Sequence, residues 1–380
     1  MLITLAAVLK KRVIVSVIND LATDQRVKKV CQTLHEMGFE VTLIGRILPG
    51  SLAVSDRPYR CIRMKLWFTT GALFYAEFNI RLFLHLLFTN VDIVHSNDLD
   101  TLLANFLVSK IKSKPLIYDA HEYFTEVPEL EHRPTVKKVW QGIEGWIFPK
   151  LKFIITVNDS IANLYEKRYG KRPQVLRNVP ELVNIPTSKT REELGLPEDK
   201  AIIVLQGSGI NIQRGAEEAL EAMQFVDNAV LVFIGGGDVL SVLKQRANQS
   251  NFSGKVIFFP KIPYTEMMQI TRLASIGLTL DKDTNINYRY SLPNKIFDYI
   301  HAGVPVLASD LPEVRKIVEG YDVGLISPNH NPKVLAERIN EMLNNFEKYE
   351  QWEANCLKAS QELNWQNEKS VLTAIYGQLG

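Results

Sequence analysis

Two cations stand where local electrostatics disfavours them. Lys295 falls in the first turn of a short helix that the sequence predicts to be entered through Pro293, itself in that first turn, and Arg214 lies just ahead of a helix predicted over residues 216–223. The positive end of a helix dipole opposes a nearby cation by roughly 0.3–1 kcal/mol. Each of these cations also follows a predicted strand and adjoins backbone N–H groups left free at a helix start, an arrangement that holds anions. Together they would clamp a diphosphate without a metal. Asp298 lies three residues beyond Lys295 on the same helix face and would accept hydrogen bonds from a neutral diol such as a ribose. The plainer alternative is a solvated Lys–Asp pair on a helix.

Other chemically able side chains sit at predicted strand ends in the first half. A strand over 115–118 opens on Asp119-Ala-His-Glu122, and open α/β sheets place functional groups at such ends, so His121 is well positioned. The first strand, 13–18, opens on a loop carrying Asp24 and Arg26. Taken alone, Asp24 is a first-turn acid and Arg26 a solvated cation. Asp98-x-Asp100 and Asp281-x-Asp283 are patterns that can hold a metal and a nucleotide. Acids ahead of a helix are also what N-caps look like, so Asp98 is read as a cap and no metal ligand is assigned.

These residues need elements to position them. β-Branched and apolar runs predict strands at 13–18, 40–44, 91–95, 115–118 and 153–157, then at 201–205, 230–234, 256–259, 276–280 and 304–308, with helices between most of them. The stretch 178–200, with Pro180, Pro186 and Pro197, reads as a linker. Residues 62–90 are rich in aromatics, and Phe74, Phe78, Leu82 and Leu86 recur every fourth place, which predicts an amphipathic helix or helical hairpin. Gly235-Gly-Gly237 after a strand reads as an ordinary βα turn. Residues 332–348 and 350–377 read as terminal helices.

The run Leu292-Pro-Asn-Lys-Ile-Phe-Asp-Tyr-Ile-His-Ala-Gly-Val-Pro-Val306 resembles the donor-nucleotide helix of retaining GT-B glycosyltransferases of the family 4 (group 1) type. The Asp24-Gln-Arg-Val27 sequence resembles an Asp-x-Arg-Val motif of one branch of that family. Gln206-Gly-Ser-Gly leading to Arg214-Gly215 is similar to its phosphate loop, with Arg where Lys is usual. The resemblance implies two Rossmann-like α/β domains facing across a cleft. The first covers 1–180 and is completed by a returning helix at about 355–380; the second covers 195–350. It implies donor contacts from Gly207, Ser208, Gly209, Arg214, Gly215, Ser291, Leu292, Pro293, Asn294, Lys295 and Asp298. Arg214, Lys295 and His121 are the catalytic candidates, His121 facing the donor sugar. Asp24, Arg26, Glu122 and Tyr290 are the candidates on the sugar and acceptor side. The sequence departs from the family at two places, since Asp298 and Tyr290 stand where the family has Glu.

The bulk composition fits a globular protein: 380 residues, 46% hydrophobic and 23% charged. Net charge is +2, but residues 1–180 hold 25 Lys+Arg against 17 Asp+Glu (+8), while the remainder holds 19 against 25 (−6). A basic first half suits an anionic partner. Three widely spaced cysteines fit a reducing compartment and no disulfide framework. The apolar start, residues 1–9, has its charges after it rather than before, the reverse of a secretory signal.

The expectation is therefore transfer of a sugar from a UDP- or GDP-type nucleotide-diphosphate sugar to a saccharide or lipid-linked acceptor. Configuration would be retained and no metal or other cofactor required. The expected location is the cytoplasm, with peripheral contact at an anionic membrane face through residues 64–88 and the flanking Arg57, Arg60, Arg63 and Lys65; no nucleic acid is expected. Two alternatives stay open: a nucleotide-sugar 2-epimerase on the same fold, and a non-catalytic nucleotide-binding relative.

Overall fold

The computed structural model describes residues 10–22, 24–54, 56–183 and 189–379. The apolar run 1–9 and Pro186 of the expected linker lie outside them. The chain divides into two units: residues 1–178 with 368–380, and residues 179–367.

Among the described residues, the first unit holds seven parallel strands: β1 (Arg12–Asp20), β2 (Glu40–Arg46), β3 (Arg60–Met64), β4 (Ile93–Asn97), β5 (Leu116–Ala120), β6 (Phe153–Thr156) and β7 (Gln174–Val175). Their order is β3-β2-β1-β4-β5-β6-β7, so the direction of winding reverses between β1 and β4. Strands β1, β4 and β5 are buried on both faces, which is why they read as continuous apolar runs rather than alternating ones. Edge strand β3, Arg-Cys-Ile-Arg-Met, is half-buried and was not expected; its two arginines hide it from a search for apolar runs.

Helix α1 (Gln25–Glu36) starts at Asp24, whose Oδ1 accepts from the Val27 N–H at 3.0 Å. The aromatic stretch resolves into β3 followed by one helix, α2 (Gly71–Phe88), rather than a helix from residue 62 or a hairpin. Phe74, Phe78, Leu82 and Leu86 are its buried residues, as the four-residue spacing predicts, and α2 packs beside α3 (Leu99–Lys112) through Asn79, which donates to the Asp100 carbonyl at 2.7 Å.

The chain returns to the first unit later than residue 355. Helix Phe346–Glu362 buries Trp352 and Cys356 in the apolar clusters of the second unit instead. Only from Glu368 does the chain belong to the first. There Glu368 accepts the backbone N–H and guanidinium of Arg177, and Tyr376 of helix Ser370–Gly377 meets His95 Nδ1 at 2.8 Å. At the expected linker, Val179 and Leu196 are buried in the core of the second unit, so both ends of that stretch are packed.

The second unit holds, among the described residues, β8 (Ala201–Gly207), β9 (Ala229–Gly235), β10 (Val256–Phe259), β11 (Ile276–Thr279), β12 (Val306–Ser309) and β13 (Gly324–Ser327), all parallel, in the order β10-β9-β8-β11-β12-β13. Winding reverses between β8 and β11. The Gly235–Gly237 turn does more than connect: Gly235 has φ +136°, and a Cβ there would lie 1.8 Å from the Gly207 carbonyl oxygen. Only glycine lets the turn after β9 lie against the turn after β8.

Candidate functional site

In the second unit the candidate side chains gather where the strand order reverses. The loop leaving β8 carries Gly207, Ser208 and Gly209 and is laced to the next loop by the Ile210 N–H, which donates to the Gly236 carbonyl at 2.7 Å. It ends at Arg214 and Gly215. Gly215 has φ +74°, and a Cβ on it would sit 2.3 Å from the Leu280 carbonyl oxygen. That contact draws the Arg214 loop against the chain leaving β11.

The first residue pair past that strand is what unites the site. Asp281 is fully buried; its Oδ1 accepts from Arg214 Nη1 at 2.5 Å, and its Oδ2 lies 3.5 Å from Lys295 Nζ. Lys295 starts helix Lys295–Ala302, with Asn294 as N-cap and Pro293 outside the helix rather than in its first turn. Its side chain is only 13% exposed, so the solvated Lys–Asp pair is not what forms. The Arg214 guanidinium also lies over the Tyr288 ring, 4.4 Å from its centroid, while its buried Nε has no partner among the described residues. Burial would raise the Asp281 carboxyl, but Lys295 and Arg214 hold it below the usual carboxylate range. Burial pulls the Lys295 ammonium down against the pull of Asp281, whereas at Arg214 the pull of Asp281 outweighs burial and lifts the guanidinium above its ordinary value. Two cations thus share one anion.

Asp298 shares a helix face with Lys295 but not its partner. Asp298 Oδ2 accepts from Gln206 Nε2 at 3.2 Å and Oδ1 from the Tyr264 hydroxyl at 2.9 Å, while Gln206 Oε1 accepts from Thr271 Oγ1 at 2.6 Å. The carboxylate is held in one orientation by donors to both of its oxygens. Tyr290 is half-buried at the end of helix Ile286–Arg289, Ser291 Oγ donates to the Tyr288 carbonyl at 2.8 Å, Leu292 packs on the core and Asn294 is exposed.

The first unit builds a different cluster, again at its reversal. Arg26 is buried, not solvated: Nη2 and Nε donate to Asp119 at 2.7 and 3.0 Å and Nη1 to the Leu176 carbonyl at 2.8 Å. Burial would raise the Asp119 carboxyl, but Arg26 and His121 hold it far below its usual range. His121 Nε2 donates to Asn97 Oδ1 at 3.0 Å and lies 3.6 Å from Asp119 Oδ2; its Nδ1 lies 3.4 Å from Asp98 Oδ2. Although burial favours the neutral ring, Asp98 and Asp119 push His121 up to about 9, so it is a cation at neutral pH. Both ring nitrogens are engaged within the unit.

Asp98 occupies the N-cap position of α3 but makes no capping bond. Its Oδ1 accepts from the His121 backbone N–H at 2.8 Å instead, and it holds φ 57°, ψ 170°, a region that disfavours residues with a Cβ. Glu122 follows on the turn beside His121, half-buried. Asp24, besides capping α1, accepts from Asn19 Nδ2 at 3.1 Å. The cluster brings Arg26, Asp98, Asp119 and His121 together. Sequence reasoning gave Asp119 no role and named Asp281 only in a metal-type pattern; each is an acid at or just past the end of a buried strand, a position that does not by itself reveal its partners.

Comparison with known proteins agrees with this anatomy. Residues 24–185 match the model of Glycosyltransferase Family 4, and residues 186–358 match that of Glycosyl transferases group 1. The chain is 20% identical to the chitobiosyldiphosphodolichol beta-mannosyltransferase of Candida glabrata, over 96% of this chain and 91% of that one. Among solved structures it superposes on sucrose-phosphate synthase from Thermosynechococcus elongatus with TM-score 0.79 at 16% identity, covering 97% and 99% of the two chains. It superposes on Anabaena HepE in complex with UDP-glucose with TM-score 0.74 at 14% identity, covering 96% and 99%. Fold and matches together define a class, the glycosyltransferases of GT-B architecture. Within that class the chain belongs to the family 4, group 1 glycosyltransferases.

The first-unit cluster has a pH signature. A histidine raised to about 9 stabilises the fold fully below about 6.5, and that contribution is lost as pH rises through about 9. Asp98, raised by burial, adds a loss of the same sign at lower pH. The thermal unfolding temperature should therefore drop between about pH 7 and about pH 10, and His121→Gln should flatten that drop by several degrees. Equal slopes in the two proteins would show that His121 is not charged in the folded state.

Proposed function

We propose that this enzyme transfers a sugar from a UDP- or GDP-type nucleotide-diphosphate sugar to a saccharide or lipid-linked acceptor, with retention of configuration and without a metal. The observation that carries the reading is the convergence of Arg214 and Lys295 on Asp281, beside an oriented Asp298. Their surplus positive charge stands where a diphosphate's charge grows as the sugar departs, and preorganised donors at such a place stabilise the transition state. Asp298 accepts from the ribose hydroxyls while Gln206 and Tyr264 keep it in place. In this reading the departing phosphate takes the acceptor's proton during front-face attack.

Metal independence is supported by what three of the four candidate acids already do. Asp281 is bound to two cations, Asp283 is paired with Arg289 at 3.0 Å, and Asp98 is turned to His121. A nucleotide-sugar donor and a lipid-linked acceptor agree with what relatives are named for: HepE is seen with UDP-glucose, and the Candida glabrata relative is named for a dolichol-linked acceptor.

The surface of the first unit supports a membrane-facing acceptor. Helix α2 is, among the described residues, long and apolar enough to cross a membrane, yet Phe74, Phe78, Leu82 and Leu86 fasten it to the first unit. Its other side exposes Leu73, Ile80, Leu84 and Phe88, and Trp67, 83% exposed, lies beneath the Arg81 guanidinium. Arg63 is tied to Asp20 and Arg57 to the Leu21 carbonyl, so Arg60 and Lys65 are the exposed cations of that flank. An apolar stripe edged by cations suits the interface of an anionic bilayer.

Arg214→Ala and Lys295→Ala should each lower kcat by about 10²–10³, the scale for one lost donor at a developing charge, and EDTA should leave the parent's activity unchanged. Proton NMR of the first product formed should show the donor's anomeric configuration. Activity abolished by EDTA and restored by Mn²⁺, or a donor isomerised with no acceptor present, would overturn the reading.

The protein should float with phosphatidylserine-containing liposomes at low salt and be released at high salt, and Phe88→Ser with Leu84→Ser should abolish flotation without unfolding the protein. No flotation at low salt would leave α2 without a membrane role and the acceptor a soluble molecule.

A further inference from the structure

We infer that Asp281 is a positioning residue with an electrostatic duty: one buried carboxylate fixes both phosphate-binding cations and trims the charge of the site so that a nucleoside diphosphate can leave it. The inference rests on the nucleotide reading above.

Arg214 and Lys295 are far apart in sequence and stand on different elements, one on the loop after β8, the other at the start of helix Lys295–Ala302, just ahead of β12. Strand β11 lies between β8 and β12 in the sheet, so the residue pair just past its end adjoins both. Asp281 belongs to that pair, fully buried, with one oxygen for each cation. Gly215 closes the gap, since any Cβ there would strike the Leu280 carbonyl. The geometry of the pair of cations is thus set from a central strand, before any ligand arrives.

The stoichiometry gives the electrostatic part. Of the neighbouring acids, Asp283 is paired with Arg289 and Glu218 with Lys282, while Asp298 keeps its charge on the neutral donors Gln206 and Tyr264, outside the contacts among Arg214, Lys295 and Asp281. Two cations and one carboxylate leave an excess of one positive charge, and Arg214 keeps a buried Nε without a partner. A purely structural ion pair would be neutral. A site with no carboxylate would carry two charges and bind the diphosphate product more tightly than turnover allows, because interactions equal in ground and transition states do not raise kcat.

The sign of the effect tests this. Asp281→Asn keeps the shape and one acceptor for Arg214 but removes the charge. UDP or GDP, measured by calorimetry at low ionic strength, should bind about tenfold more tightly than to the unaltered protein, and kcat and donor KM should fall together. A merely structural role predicts weaker binding in the variant. Because a buried unpaired ammonium can unfold the protein, the substitution is repeated in a Lys295→Gln background. There Lys295→Gln alone weakens nucleotide binding, and adding Asp281→Asn recovers about tenfold. Unchanged or weaker binding in both settings overturns the inference while leaving the nucleotide reading intact. If the unaltered protein binds neither UDP nor GDP, the nucleotide reading fails and takes the inference with it.

Discussion

Parallel strands deliver their C-terminal ends to one edge of a sheet, and where the strand order reverses, the loops at that edge part and leave room between them. Each sheet of this chain reverses once, between β1 and β4 and between β8 and β11. The charged chemistry of the molecule collects at those two places. Glycines decide how closely the loops approach there: Gly215 against Leu280, Gly235 against Gly207. The sheet order therefore does more to build the site than any single loop, because it makes residues 214, 281 and 295 neighbours.

The two clusters differ in how their charges are closed. In the first unit Arg26 holds Asp119 through two bonds, and His121 spends both ring nitrogens on Asn97, Asp119 and Asp98. Removing one partner of such a buried pair costs about 3–5 kcal/mol, so this cluster is stiff. The second unit leaves a positive excess and an unsatisfied Arg214 Nε, the condition of a site that waits for an anion. In the proposed reading the ligand's charge is met in the second unit.

Much of the fold could be read from apolar periodicity, because buried parallel strands write themselves as continuous runs and α2 as a four-residue repeat. Edge strands escaped, as β3 shows: half-buried and arginine-bearing, it has no such run. Arg214 and Lys295 stood out in the sequence because a cation at a helix start contradicts a local rule, and the structure brings both to one carboxylate. Asp281 did not stand out, since nothing in local spacing says that the carboxylate would be enclosed by cations from two other elements. Arg26 misled for the same reason: a single arginine in a first turn looks solvated until the fold brings Asp119 under it.

Amide hydrogen exchange, with and without saturating UDP or GDP, tests the central claim most directly, that the nucleotide is held by the second unit at its strand-order reversal. The account predicts the strongest protection at residues 206–215 and 291–298, lost in Arg214→Ala. Protection strongest at residues 96–101 and 119–122, or none anywhere, would contradict it.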